Sequence, residues 1–210
     1  LSARGQRVTL FLVPRLAEAL AGVVRDLIAG GAEPGLHIHP QTTDLGYEAH
    51  LGQLPLATQR LLIEQGRDRV AAVAGSAPTS FRSGCLSGSW EIFPMLLELG
   101  FMQGSTTMPG RNLPAVGAVW VNDPPFANWR DGGFGRRFLE LPVGGALEEL
   151  GPHREARCSP RHLRLEYEGI AEWGPGLIRG YVRRQVELGW WLKSLGVMTH
   201  NTRCYDDPAD

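Results

Sequence analysis

Gly35-Leu36-His37-Ile38-His39-Pro40 places two of the six histidines two residues apart, directly before a proline. In extended backbone, residues i and i+2 share a face. His37 and His39 would then present both imidazoles to one spot, as a divalent cation requires of two ligands. The competing reading is two unrelated histidines at a strand end, and the spacing alone does not separate the two.

Working outward, residues 8–13 (VTLFLV) form a nearly continuous apolar, β-prone run, expected to be a buried strand. Pro14 opens an expected helix over residues 14–29, with Leu16, Leu20, Val23, Val24 and Leu27 at helical spacing and Gly30-Gly31 as its stop. Leu36 to His39 is the next strand. Strand, helix and strand in about 30 residues make a βαβ unit with parallel strands. Residues 1–5 read as the end of an earlier helix.

Further along, residues 42–54 are a polar loop and residues 56–74 a helix with Leu61, Leu62 and Val70 inward. Ser80-Phe81-Arg82 is a short strand. Ser87 or Ser89 caps a helix reaching Leu99, with Phe93, Leu96 and Leu97 buried. Short strands are expected at Gly100-Phe101, over residues 116–121, 138–143 and 162–167, and at Val197-Met198-Thr199-His200. A last long helix spans residues 177–195. The alternation gives an α/β fold, either a (β/α) barrel or an open doubly wound sheet.

The chain has 210 residues, 43% of them hydrophobic, which suits one domain with a substantial core. A net charge of -1 gives no electrostatic case for nucleic acid or an anionic membrane. No apolar run approaches the ~18 residues needed to span a bilayer. Cys85, Cys158 and Cys204 are odd in number and far apart, so no disulfide framework is read and a cytoplasmic location is expected. The 27 glycines and 15 prolines, a fifth of the chain, suggest tight connections between recurring apolar segments.

In α/β folds, function gathers at the C-terminal ends of strands. His37, His39, Arg82, Ser105 and His200 all fall at such ends. A metal on His37 and His39 could activate a water. His200 could donate a proton to a leaving amine, and Arg82 could hold a carboxylate. His50, His153 and His162 read as surface residues, and Cys85 and Cys204 as small hydrophobes. Of the six tryptophans most should pack. Trp90 and Trp129 are candidate sugar-binding faces, with the polar stretch from Trp120 to Arg130 the one most suited to meet a ligand.

Several segments, in order, resemble one family. Residues 5–13 (GQRVTLFLV) resemble the "G-x-x-x-T-x-F-x-V" strand of polysaccharide deacetylases, the NodB-like carbohydrate esterase family 4. Residues 35–40 (GLHIHP) resemble the "E-I-G-L-H-x-H-P" segment of a divergent branch. Residues 75–84 (GSAPTSFRSG) resemble "G-x-x-P-x-x-F-R-x-G". Residues 96–101 (LLELGF) with 105–109 (STTMP) resemble the stretch that follows. Residues 138–143 resemble the "E-[IL]-P-V" strand, and residues 197–200 the closing strand with its histidine.

The resemblance implies a distorted (β/α) barrel of about seven mostly parallel strands in a single domain over residues 1–210. It implies zinc or a similar divalent ion on His37 and His39, and hydrolysis of an N-acetyl group on an amino sugar or small glycan. By the same carry-over, Arg82 orients the catalytic aspartate and His200 is the general acid. Apart from the resemblance, Trp90, Ser105 and Trp129 are expected to touch substrate. Two departures stand out. The family more often carries H-[ST]-x-x-H, and here the second histidine comes at i+2. The family's first acidic motif has no counterpart here, so the first strand and helix are expected to lie upstream of Leu1 or to be lost; Asp44, Glu48 and Asp206 are acids that could stand in. The alternatives to a deacetylase are a non-catalytic carbohydrate-binding or scaffold protein on the same barrel, and a hydrolase of an O-acyl ester or a non-sugar amide.

Overall fold

A computed structural model describes residues 8–149, 161–163 and 167–197, with backbone alone for 167–174. The chain divides into two compact units. The first gathers the chain up to Thr106 with Pro114–Ala118 and Trp129–Glu140; the second takes Thr107–Leu113, Val119–Asn128 and the chain from Leu141 onward.

In chain order the elements are β1 (Thr9–Leu12), α1 (Pro14–Ala19), α2 (Ala21–Ala29), β2 (Glu33–Ile38), α3 (Leu56–Ala74), β3 (Ser80–Ser83) and α4 (Ile92–Glu98). They continue with β4 (Gln103–Gly104), the two-residue strands β5 (Asn112–Leu113) and β6 (Ala118–Val119), β7 (Asn128–Asp131), β8 (Arg137–Glu140) and α5 (Tyr167–Glu187). The main sheet has six strands in the order β1-β2-β3-β4-β8-β7. Parallel ladders join β1 to β2, β2 to β3, β3 to β4 and β4 to β8. The connection from β7 to β8 is too short for a parallel crossover, so that pair is a hairpin. This is the expected α/β architecture. Among the described residues the ladder runs open from β1 to β7, six strands where about seven were expected.

Strand alternation sets what each face carries. Leu36, Ile38 and Phe81 are fully buried, while the register pairs His37 with Arg82 on the opposite face. Helix α3 covers the apolar face. Its inward stripe is Gln59, Leu62, Ile63, Gly66, Val70 and Val73, a run of three- and four-residue steps. At Gly66 the helix lies so near β2 that a Cβ would fall 2.5 Å from Ile38 Cδ1. Each fully buried aliphatic or Phe side chain here stabilises the fold by about 1.5–3 kcal/mol. Leu61, expected inward, is 43% exposed, because it sits one step off that stripe.

Other expectations shift for local reasons. The residue 14–29 helix breaks into α1 and α2 at Leu20, whose backbone is not helical (φ -114, ψ 31). Leu16, Leu20, Val23 and Leu27 are exposed there, and the core takes Ala17 and Val24. β1 is half-buried and lies at the end of the sheet. No serine caps α4; Ser87 Oγ instead accepts the Gly52 N–H at 2.7 Å. Phe101 N–H caps that helix on Leu96 O and Gly100 takes φ +89, so the expected strand at residues 100–101 begins only at Gln103.

In the second unit, Phe126, Leu163 and Tyr181 form a core packed by Leu147, Leu177, Ile178, Trp190 and Val197. α5 begins ten residues before the expected helix and runs through Pro175. It stops at a Schellman turn, with Trp190 N–H on Gln185 O, Gly189 N–H on Val186 O and Gly189 at φ +59. The expected continuation to Leu195 therefore does not form. His162, expected at the surface, is buried. The closing strand at Val197–His200 falls outside the described residues beyond Val197, as do Cys158, Cys204, His153 and the 1–5 helix end.

Candidate metal and hydrolase site

His37 is the next-to-last residue of β2, and His39 lies just past its end in extended backbone. The i+2 spacing does what extended geometry requires: the two Nε2 atoms are 3.0 Å apart. The rings meet edge to face, with centroids 4.7 Å apart and planes at 87°. His37 Nδ1 lies 2.8 Å from Arg82 O. A carbonyl only accepts, so His37 carries its proton on Nδ1 and its Nε2 is the acceptor toward His39.

The pair offers two of the ligands that a divalent cation would take. A backbone carbonyl on the outer ring nitrogen is the usual device that fixes the tautomer of a metal-ligating histidine. Zinc with Zn–N distances of about 2.0–2.1 Å and tetrahedral angles needs its ligand nitrogens about 3.3 Å apart, a few tenths beyond what the pair shows. His39 has its pKa held below the ordinary imidazole value, first by burial and then by the nearby His50, which favours the neutral, metal-binding form. Among the described residues no third His, Cys, Asp or Glu completes a three-ligand cluster with them.

Arg82 stands beside His37 in the β2–β3 ladder. Its Nη2 donates to Ser105 Oγ at 2.8 Å and its Nε to Ser105 O at 3.2 Å. The guanidinium lies 4.9 Å over the Phe11 ring. Burial pulls the Arg82 pKa down, and the charge of Glu140 works against that pull. Ser105, expected to touch substrate, is buried and holds Arg82. Glu140 escaped sequence reasoning: it is fully buried at the end of β8, with Oε1 accepting the Thr106 N–H at 2.7 Å. The available signal was a lone acid in the apolar run FLEL before Pro142.

Trp90 is 52% exposed and Trp129 43% exposed, each with a guanidinium on its ring: Arg130 at 4.3 Å and Arg137 at 5.0 Å. Trp120, in the stretch thought most suited to a ligand, is buried, as is Arg130. Asp44 is tied to Arg15 and Arg69 on the surface, and Arg15 first of all holds its carboxyl below the usual range. Glu48 is exposed, and its carbonyl accepts from Gln41. His200 and Asp206 lie outside the described residues. Cys85, expected to be a small buried hydrophobe, is exposed and forms no disulfide. A cleft of about 530 Å³ in the second unit, bordered by Leu147, Arg161, Tyr181 and Arg184, contains none of the expected site residues.

No protein-family model matches the sequence, and no curated protein matches it. Among solved structures the chain is similar to a protein assigned as a polysaccharide deacetylase from Mycobacterium smegmatis, at 20% identity and a TM-score of 0.57, covering 91% of this chain and 57% of that one. It is also similar to a protein assigned as a polysaccharide deacetylase from Pseudomonas aeruginosa PAO1 (20% identity, TM-score 0.47, 69% and 41% covered). A third is a family 4 carbohydrate esterase from Streptomyces lividans in complex with acetate (19%, TM-score 0.42, 52% and 54%). The first likeness carries the fold, which is that of the NodB-type deacetylases. The chain spans little more than half the length of that structure.

Proposed function

We propose that this NodB-type fold carries a metal-dependent hydrolase that removes an N-acetyl group from an amino sugar or glycan. The observation that carries the reading is the His37–His39 pair, with two Nε2 atoms 3.0 Å apart and the outer nitrogen of His37 anchored on Arg82 O. His37 and His39 would hold zinc or a similar divalent ion together with a further ligand. Such an ion polarises the acetamide carbonyl and brings a water toward neutral pKa.

The chain's own residues supply the rest. The Arg82 carbonyl keeps His37 in the tautomer that exposes Nε2. Burial pulls the His39 pKa down, which favours its neutral form. Ser105 fixes the Arg82 guanidinium, leaving a stationary positive group beside His37 that steadies a carboxylate or the developing oxyanion. His200 donates the proton to the departing amine, so that water and amide become acetate and a free amino sugar. Trp90 and Trp129 offer partly exposed ring faces to sugar.

Those two aromatic faces also favour a second reading, a carbohydrate-binding protein without catalysis. One experiment separates the two. The zinc-loaded full chain is incubated with a panel of N-acetylated sugars and oligosaccharides, and amine release is followed. Amine release from wild type, lost in His37→Ala, is expected. Sugar binding with no amine release from any substrate would reject the hydrolase.

A further inference from the structure

Gly84 follows β3, where the chain passes against the ring of His39. A Cβ on Gly84 would lie 2.4 Å from His39 Nδ1 and 2.6 Å from both Cε1 and Cγ. Ordinary contact begins near 3.4 Å, so the ring would have to retreat by about 1 Å. Backbone conformation does not call for glycine at this position, since Gly84 is not among the residues with positive φ. The next two residues do lie in the left-handed region, Cys85 at φ 56 and Leu86 at φ 53, and neither is glycine. The chain thus spends its glycine on space and lets bulkier side chains take the strained backbone.

We infer that Gly84 is a positioning residue for His39: its bare Cα forms the surface against which the imidazole rests. The ring is then held between that surface and the edge of His37, which aims Nε2 at its partner. The close approach explains how a histidine two residues on, past the end of β2, still reaches the same point. The inference deepens the proposed function and rests on it for the purpose of the pair, but not for the contact itself.

A double-mutant cycle in metal-free protein tests it. Gly84→Ala is made alone and in a His39→Ala background. Both are read by thermal midpoint and by the ¹⁵N resonances of the His37 ring. Alone, Gly84→Ala should lower the midpoint and move His37 Nε2, which loses its donor. In the His39→Ala background it should change neither, because the methyl occupies the space the ring has left. Equal drops in the two backgrounds would overturn the inference. If Gly84→Ala alone fails to fold, a folded double variant supports the inference and an unfolded one overturns it. With zinc added, Gly84→Ala should bind about 10–100-fold more weakly than wild type, and unchanged affinity would count against it. A wild-type protein with no zinc affinity would sink the hydrolase reading, and the metal-free cycle would still decide the role of Gly84.

Discussion

Replacing Arg82 by methionine separates the two things that residue does. Its carbonyl anchors His37 Nδ1 at 2.8 Å, and its guanidinium makes two hydrogen bonds to Ser105 and lies over Phe11. Arg82→Met keeps the first and removes the second. Hydrogen bonds from a charged group contribute about 1.5–3 kcal/mol each, and the cation over Phe11 about 0.5–2 kcal/mol. Against that stands the cost of holding a guanidinium in a buried place, the same burial that pulls its pKa down. Methionine recovers that cost and most of the packing volume. The net loss is about 2–3 kcal/mol, or a fall of about 4–12 °C in thermal midpoint for a chain of this size. Urea unfolding followed by circular dichroism gives the stability, and calorimetric titration with zinc gives the affinity. The expected result is a lower midpoint with zinc affinity within about threefold of wild type, because the carbonyl is untouched. A large loss of zinc affinity at unchanged stability would refute this division of labour.

Other outcomes follow from single contacts. His39 has a depressed pKa in the folded state, so the unfolded chain takes up the proton first. Its contribution to stability should be fully present above the ordinary value of 6.5 and be lost as pH falls through the folded value. Zinc affinity should fall over the same window, and a flat profile from pH 7 to 5 in both measurements would contradict this. Gly66→Ala puts a Cβ 2.5 Å from Ile38 Cδ1 and should destabilise by about 1–3 kcal/mol in chemical denaturation; a more stable variant would show that α3 can back away from β2. Tyr181→Phe loses the hydroxyl donated to Pro125 O and should cost about 1 kcal/mol. Burial pushes that phenol well above its ordinary value, so an absorbance titration should show no phenolate from Tyr181 before unfolding.

The parts of the fold that were legible in the sequence are those decided by local pattern. Residues 56–74 form the expected helix because a three- and four-step stripe runs its whole length between Pro55 and Gly75, the latter left-handed at φ +79. The i+2 histidines face one side because the backbone is extended there, which the sequence shows; the contact of the His39 ring with Gly84, far away in the chain, it does not show. What failed depends on partners far away in sequence. Leu16, Leu20, Val23 and Leu27 have the right period for burial, but period cannot say whether a neighbour covers them. α5 is the local exception: it stops at Glu187 because Gly189 and Trp190 cap it, a choice of backbone made over two residues. Within the candidate site, Arg82 and Ser105 were read as separate contributors, yet one holds the other, and only the ladder register brings Arg82 beside His37. Glu140 looked like an ordinary strand residue because its burial is set by the sheet and not by its neighbours in the chain.

X-ray absorption at the zinc edge of the loaded full chain probes the proposed role of the histidine pair most directly. Two imidazole nitrogens at about 2.0–2.1 Å in the wild-type spectrum, one fewer in His37→Ala and one fewer in His39→Ala, is the predicted result. A spectrum that fits without imidazole, or that neither substitution alters, would contradict a cation shared by these two histidines.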